Sequence, residues 1–282
     1  MQPTCSMPAV VLPSDSCSVA DLHMPYGLDA EVRAELRLEA GWAQRWTAAW
    51  RFHGAQAEVV CPVRDLVSVP LGGCEPVRRF AWRPRQRHRP GLQFLVSTGR
   101  HHGFESLAEQ RLLLALDFAG GLVEVLSQPF RLRFATTTGW REHTPDFLVV
   151  TQAGRWLFDV RPAERIGADD QVCFAAADEA ALASGWRYGV VTGWRPHVLA
   201  ALDALSSQRR ALDDRLGVQG ELVEAVRAGP RRFGELVAAT SLPAVARAHA
   251  LHLLWHRRLG VDLARPLTDG SPVWLAGVGA GR

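Results

Sequence analysis

The segment that decides the fold runs from residue 143 to residue 161 and reads HTPDFLVVTQAGRWLFDVR. A Pro145-Asp146 step opens one apolar run, and an Asp159-Val160-Arg161 step closes the next. Side chains alternate between the two faces of a strand, so Asp159 and Arg161 are expected on the same face. The two steps together predict that two carboxylates and one cation meet at one point of a sheet edge.

These carboxylates indicate a metal site. A carboxylate in a strand as apolar as residues 156–161 is costly unless it meets a cation or a metal. Clustered Asp146 and Asp159 suit hard Mg²⁺ or Mn²⁺ ions, which drive phosphodiester hydrolysis. Two simpler interpretations stay open: Asp146 as a turn residue after proline, and a same-face ion pair between Asp159 and Arg161.

The flanking sequence predicts a regular succession of elements. A Leu- and Ala-rich helix is expected over residues 110–118, followed by strands over 127–134, 143–150 and 156–161. A helix over 169–184, a strand over 186–191 and a helix over 196–212 complete the order. The pattern is typical of an α/β protein.

This order and its motifs resemble the TnsA-type endonuclease subunit of heteromeric transposases, a branch of the PD-(D/E)xK, or restriction-endonuclease-like, nucleases. Similarity covers roughly residues 75 to 195, and the strings at 76–80, 98–103 and 185–188 are similar to an actinobacterial subgroup. The matching motifs are Phe104-Glu105-Ser106 with Glu109, Gln128-Pro129, Thr144-Pro145-Asp146-Phe147 and Asp159-Val160-Arg161.

The resemblance implies a restriction-endonuclease-like α/β core, a mixed sheet flanked by helices. It implies that Glu105, Asp146 and Asp159 bind Mg²⁺ or Mn²⁺ and act in catalysis together with Arg161. Glu109 lies one helical turn after Glu105, where a role behind the metal ligands or a solvated helix surface are both open. Gln128 matches the family's Gln-Pro pair and is expected to steady the site, to touch DNA, or simply to end a strand.

Arg161 stands where the broader nuclease family has lysine. A buried lysine can lose its proton and help to activate water, whereas arginine stays protonated in proteins. Arg161 is therefore expected to pin the scissile phosphate and neutralise charge in the transition state, not to act as a base. The substitution leaves cleavage activity open.

Composition narrows the class only slightly. The chain has 282 residues and a net charge of +3, and all 32 basic residues are arginine. The absence of lysine indicates a high-GC coding bias, and the five scattered cysteines form no Cys-x-x-Cys pair. A basic stretch leads into the predicted site, where either DNA contact or a solvated loop is open. Its candidate DNA-binding residues are Arg83, Arg85, Arg87 and Arg89.

The remaining sequence predicts four regions, at 1–28, 29–91, 92–215 and 216–282. The first is expected to be mobile, and the second to hold a helix over 29–50, with Trp42, Trp46 and Trp50 in the core, and a small β meander. The third is the nuclease core. The fourth, with three short helices and two short strands, is typical of a winged helix, whose Arg257 and Arg258 suit DNA; docking of a protein is equally open.

By resemblance, the chain is expected to be a metal-dependent endonuclease subunit that cuts the 5′ strand at transposon ends. The implied partners are double-stranded DNA, an RNase-H-like transposase subunit and an ATPase regulator. Two alternatives remain: a catalytically silent DNA-binding or scaffolding subunit, and a stand-alone restriction or repair nuclease. No signal peptide or membrane span is visible, so a cytoplasmic protein is expected.

Overall fold

The computed structural model describes residues 11–78 and 89–277. Within these ranges the chain forms two compact units. We call residues 23–193 the central unit, and residues 11–22 with 194–277 the terminal unit. The predicted boundaries at 28, 91 and 215 do not coincide with this division, because the segment before residue 23 and the helix after residue 194 join the C-terminal residues.

The described chain is a mixed α/β protein. Its α-helices are α1 Val19–Leu22, α2 Ala30–Ala34, α3 Trp42–Arg45, α4 Leu107–Ala119, α5 Ala168–Ala183, α6 Val198–Ser206, α7 Val218–Ala225, α8 Phe233–Ala238 and α9 Pro243–Trp255. Short 3₁₀ helices span Val63–Ser68 and Ala163–Arg165. None of the helices in the described ranges has both the length and the apolar character needed to cross a membrane.

The strands of the central unit are β1 Thr47–Phe52, β2 Val59–Pro62, β3 Cys74–Glu75, β4 Gly91–Leu95, β5 Arg100–Phe104, β6 Leu122–Ser127, β7 Phe130–Thr136, β8 Gly139–His143, β9 Phe147–Thr151, β10 Gly154–Val160 and β11 Arg187–Val191. The terminal unit holds β12 Arg231–Arg232, β13 Leu259–Val261 and β14 Pro272–Leu275.

Two sheets and a hairpin build the central unit. One sheet has the order β2-β1-β7-β8, with β3 also paired to β1. The other has the order β11-β10-β9-β6 and is mixed, because β10 runs parallel to β11 and antiparallel to β9. Strands β4 and β5 pair with each other. The mixed sheet carries both Asp146, just before β9, and Asp159, within β10.

Helix α5 covers one face of the mixed sheet with alanine. Ala175, Ala176 and Ala180 are fully buried in the same core cluster as Leu148 of β9 and Leu157 of β10. Small side chains let the helix axis approach the strands closely, and the close fit excludes water from the sheet. This packing fixes β9 and β10 behind the two aspartates.

The predicted helix over residues 29–50 is wrong for most of its length. Helix α2 ends at Ala34, and Gly41 has a φ of +77° just before the short α3. Trp50 then lies in β1, which pairs with β2 on one side and β7 on the other. Strand pairing therefore overrides the four-residue spacing of the tryptophans. Trp46 and Trp50 are nevertheless fully buried, as expected for core residues.

The predicted strands over 127–134 and 143–150 are each interrupted. Gln128, with a φ of +46°, separates β6 from β7. Residues 144–146 separate β8 from β9, which belong to different sheets. Pro145 has no N–H to donate to a strand ladder, so pairing stops there. The Thr-Pro-Asp step is thus the point where the chain passes from one sheet to the other.

The terminal unit begins with an ordered segment. Pro13 bridges to Asp262, and the Ser14 N–H donates to the Val261 carbonyl at 2.9 Å. Leu12, Val19 and Leu22 are buried. The expectation of a mobile N-terminus therefore does not hold for residues 11–22, while residues 1–10 lie outside the described residues.

The first long helix of the terminal unit is shorter than predicted. Helix α6 ends at Ser206, whereas the sequence predicts residue 212. Helices α7, α8 and α9 follow, and the strands pair in the order β12-β14-β13. The two short strands predicted for this region are present as β13 and β14, which pair from Leu259 with Leu275 to Val261 with Val273.

Candidate active site

A cavity of about 490 Å³ in the central unit brings the predicted site residues together. Glu105, Asp146, Asp159 and Arg161 all line it. The structure also places His143 and Glu109 in the lining, together with three arginines, which we call the rim arginines: Arg78, Arg89 and Arg165. The cavity lining therefore carries both negatively charged carboxylates and positively charged guanidinium groups.

Main-chain hydrogen bonds hold Asp146 in place. Its N–H donates to the Phe158 carbonyl at 3.0 Å, and its carbonyl accepts from the Gln128 N–H at 2.7 Å. The Val160 N–H donates to Oδ2 of Asp146 at 2.7 Å. Strand β10 thus fixes both the backbone and the carboxylate of Asp146.

The carboxyl of Asp146 lies in an environment that opposes its charge. Burial raises its pKa well above the ordinary value, and the negative charges of Asp159 and Glu109 raise it further. The hydrogen bond from Val160 works in the opposite direction but is the weaker effect. A cluster of carboxylates that repel one another in this way is the electrostatic pattern of a cation site.

Asp159 is held by two polar side chains. It is 2% exposed, and Nε2 of His143 lies 3.0 Å from Oδ1 and 3.1 Å from Oδ2. The hydroxyl of Tyr188 donates to Oδ2 at 2.6 Å. Burial alone would lower the pKa of His143, but the charge and hydrogen bond of Asp159 raise it to about 10. Burial and the charge of Asp159 raise the pKa of Tyr188 well above its ordinary value.

Glu109 is the helix glutamate whose charge reaches Asp146. It is 7% exposed, which corrects the expectation of a solvated helix surface. Ser106 caps α4: its Oγ accepts from the Glu109 N–H at 3.2 Å and donates to Oε1 of Glu109 at 2.7 Å. The Glu105 N–H donates to Oε2 at 2.8 Å. These contacts hold the Glu109 carboxylate back over the start of the helix. Glu105 itself is half-buried on the cavity wall.

Arg161 points to the helix start of α5 and not to Asp159. Its side chain is 47% exposed, and Nη2 lies 3.4 Å from Oδ2 of Asp170. Its Nε donates to the Arg165 carbonyl at 3.3 Å. The interpretation of an ion pair between Asp159 and Arg161 is therefore wrong, because His143 is the cationic partner of Asp159.

The other predicted DNA-binding residues have different surroundings. Gln128 is 2% exposed, which corrects the expected DNA contact, and its main chain supports Asp146. In the terminal unit, Arg257 donates through Nη2 to the Cys17 carbonyl at 2.9 Å, and Arg258 is exposed. Arg89 is exposed at the cavity, whereas Arg83, Arg85 and Arg87 lie outside the described residues.

The donor set fits a hard divalent cation in its chemistry. Asp146, Asp159 and Glu109 offer carboxylate oxygens, which Mg²⁺ and Mn²⁺ prefer. A cation would relieve the repulsion that raises the pKa of Asp146. Among residues 11–78 and 89–277, no three His, Cys, Asp or Glu side chains already stand grouped as a metal cage. Both oxygens of Asp159 are contacted by His143 or Tyr188, and both oxygens of Glu109 accept a hydrogen bond from the start of α4.

A scan against protein-family models and a search of curated proteins each find no match for this chain. Functional assignment therefore depends on the cavity and on the sequence motifs. The sequence motifs assign no role to Tyr188 and His143, the two residues that contact Asp159. Tyr188 reaches Asp159 because β11 lies beside β10 in parallel register, which no local pattern encodes. His143 directly precedes the Thr-Pro-Asp step, and that adjacency was the available signal.

Proposed function

We propose that the chain is a metal-dependent DNA endonuclease subunit of the TnsA type, which hydrolyses phosphodiester bonds at transposon ends. The observation that carries the proposal is the group of mutually repelling carboxylates, Asp146, Asp159 and Glu109, in a cavity bordered by arginines. Carboxylates alone would repel a phosphodiester. Carboxylates that hold a cation, surrounded by guanidinium groups, can instead bind a phosphodiester.

The arrangement of the central unit supports a restriction-endonuclease-like core. Helix α4 precedes the strands β6, β9 and β10, and α5 leads to β11, which extends the same mixed sheet. Asp146 at the start of β9 and Asp159 in β10 are neighbours across that sheet. In the terminal unit, the order α7-β12-α8-α9-β13-β14, with the three strands in one small antiparallel sheet, supports a winged helix. Both assignments are part of the proposal.

Each residue has a role in this proposal. Asp146 and Glu109, with one oxygen of Asp159, would hold the Mg²⁺, and Glu105 lies beside them on the cavity wall. When bound, the ion supplies a Lewis acid and lowers the pKa of water toward neutrality. Arg161 and the rim arginines bind phosphate oxygens and stabilise negative charge. No arginine acts as the base.

The partners follow from the resemblance. The substrate would be double-stranded DNA at transposon ends, cut on the 5′ strand. An RNase-H-like transposase subunit would act on the other strand, and an ATPase regulator would control both. At the start of α9, the N-cap residue Leu242 and the helix residues Val245 and Arg247 are exposed. This mixture of apolar and basic side chains suits the docking of a protein as well as DNA.

A catalytically silent subunit is the second candidate. The observation that favours it is the ion pair of Arg161 with Asp170, which engages the guanidinium away from the carboxylates. In that case the chain would bind DNA and scaffold the transposase without cutting. A lysine at position 161 would then be expected to restore cleavage, because lysine is the residue that the resembled nuclease family has there and, unlike arginine, it can lose its proton.

The test is nicking of supercoiled DNA by the full chain, alone and with the transposase subunit that the proposal implies, in Mg²⁺ and Mn²⁺. The variants are Asp146→Ala, Asp159→Ala and Arg161→Lys, with Asp65→Ala as the control, because Asp65 is half-exposed on a 3₁₀ helix that does not line the cavity. Metal-dependent nicking that both site variants lose, and the control keeps, supports the nuclease. Nicking only by Arg161→Lys supports the silent subunit, and inert variants that all bind DNA support a scaffold.

A further inference from the structure

Two strands from different sheets converge on one carboxylate. His143 ends β8, an edge strand of the first sheet, whereas Tyr188 lies in β11 of the mixed sheet. Asp159 lies in β10, between them. The contact of His143 with Asp159 therefore links the two sheets at the cavity, whereas Tyr188 contacts Asp159 from the neighbouring strand of the same sheet.

These contacts occupy most of the carboxylate. An ionised carboxylate has two oxygens with about four lone-pair directions. Oδ2 accepts from the Tyr188 hydroxyl and from Nε2 of His143, and Oδ1 also faces Nε2. One direction on Oδ1 is left. Because Asp159 lines the cavity, that direction is the one through which it can bind a ligand there.

We propose that His143 and Tyr188 are positioning residues that hold Asp159 so that it offers a single oxygen, Oδ1, to a divalent cation in the cavity. The inference rests on the proposed function, since it concerns the affinity of the same site. Partners that orient a metal-binding carboxylate contribute to affinity, and their loss costs about 10- to 100-fold. Neither residue needs to touch the substrate to have this effect.

Tyr188→Phe is the decisive variant, because it removes one hydroxyl and keeps the ring. Tyr26→Phe is its matched control: Tyr26 packs edge-on against Phe174, with ring centroids 6.3 Å apart, whereas the side chains that hydrogen-bond Asp159 in the described structure are His143 and Tyr188. Binding of Mn²⁺ to the full chain without DNA is measured by electron paramagnetic resonance. We expect Tyr188→Phe to weaken Mn²⁺ binding about 10- to 100-fold, and Tyr26→Phe to leave it unchanged.

His143 provides a second arm. His143→Ala removes the contact, and His143→Gln returns a neutral N–H donor to the same place. We expect the glutamine variant to bind Mn²⁺ more tightly than the alanine variant. In nicking assays, both tyrosine and histidine variants should need more Mn²⁺ for half-maximal rate, while the rate at saturating Mn²⁺ changes much less. A general loss of structure would also lower the rate at saturating Mn²⁺.

The outcomes separate the inference from the function beneath it. If the wild type binds Mn²⁺ and Tyr188→Phe binds it equally well or more tightly, the positioning role is overturned and the nuclease proposal stands. If the wild type binds no Mn²⁺, the metal-dependent function is refuted, and the inference falls with it. Weaker binding in Tyr188→Phe, but not in Tyr26→Phe, supports both.

Discussion

The imidazole of His143 bridges the two carboxylate oxygens of Asp159, with Nε2 at 3.0 Å from one and 3.1 Å from the other. The pair is largely buried: the side chains are 15% and 3% exposed. Cys173 of α5 also faces the ring. A protonated histidine in this position is a cation fixed inside the site, and its charge has a measurable effect on stability.

Stability should fall with rising pH through this pair. The pKa of His143 is about 10 in the folded chain against an ordinary 6.5, so the folded state keeps a proton that the unfolded state releases. Its contribution to the free energy of unfolding is complete below pH 6.5 and is lost as the pH rises through about 10. The expected slope is about 1.4 kcal/mol per pH unit between these values. His143→Gln should show a flatter dependence in urea unfolding at pH 7, 8 and 9; parallel curves would contradict this origin.

Asp146→Asn should make the chain more stable while abolishing nicking. Burial and the charges of Asp159 and Glu109 oppose the ionised form, and asparagine removes that charge. Its amide oxygen can still accept the Val160 N–H. We expect a gain in stability at neutral pH, which disappears below the ordinary carboxyl pKa of 3.8 because Asp146 is then protonated in both the folded and the unfolded state. Urea unfolding at pH 7 and pH 3.5 measures it. Destabilisation at pH 7 would mean that the carboxylate is not under strain.

Glu109→Gln should impair nicking far more than Glu105→Gln. Glu109 is buried, and its charge reaches Asp146, whereas Glu105 is half-buried and contributes its N–H to the Glu109 carboxylate. We expect Glu109→Gln to lower the rate by about 10- to 100-fold or more, with a much smaller effect of Glu105→Gln. Both variants keep a polar side chain of the same shape, so each controls for the other. The opposite ranking would restore Glu105 as the metal ligand implied by the motif.

The sequence predicted the carboxylates better than their partners. Asp146 and Asp159 stand out because a charge in an apolar strand is costly, and β9 and β10 are joined by a short turn at residues 152–153. The alternation of residues 156–161 predicted that Arg161 lies on the same face as Asp159. Strand β10 ends at Val160, however, and the guanidinium of Arg161 turns toward Asp170. Where a strand ends depends on the segments that pack beside it, and the alternation of residues within the strand carries no information about them.

The errors have the same cause on a larger scale. The spacing of Trp42, Trp46 and Trp50 fits a helix, yet Trp50 lies in β1, which forms strand hydrogen bonds with β2 on one side and with β7 on the other. Tyr188 has no local signal at all, since it reaches Asp159 through the parallel pairing of β10 with β11. Local propensity decides an element only where tertiary pairing does not compete with it.

Arg165→Gln should weaken DNA binding without changing the fold. Arg165 is exposed at the cavity, and in the part of the chain that the structure describes its guanidinium makes no ion pair. Its carbonyl accepts from Arg161, and this contact survives the substitution. If Arg165 binds a phosphate, the slope of log affinity against log salt should decrease by about 1. Fluorescence anisotropy over a salt series measures it, with Arg37→Gln, exposed elsewhere on the unit, as the control. Equal slopes for both variants would remove Arg165 from the interface.

Gly189→Ala should destabilise the central unit through Phe158, the residue before Asp159. A Cβ at position 189 would lie 2.9 Å from Cε1 and 3.1 Å from Cδ1 of the Phe158 ring. That ring is fully buried and stacks on Trp156 at 5.3 Å with an interplanar angle of 6°, so it has little room to move away.

We expect Gly189→Ala to cost about 1–3 kcal/mol, which corresponds to a melting temperature lower by about 2–4 °C per kcal/mol. Gly193→Ala is the matched control, because its Cβ would meet nothing within 4 Å and its φ is not in the left-handed region. Thermal unfolding of both variants separates the clash from the general effect of replacing glycine, which is neutral or slightly stabilising at a compatible site. If Gly189→Ala melts at or above the temperature of Gly193→Ala, the Phe158 ring is free to shift, and the strand behind Asp159 is less rigid than its packing implies.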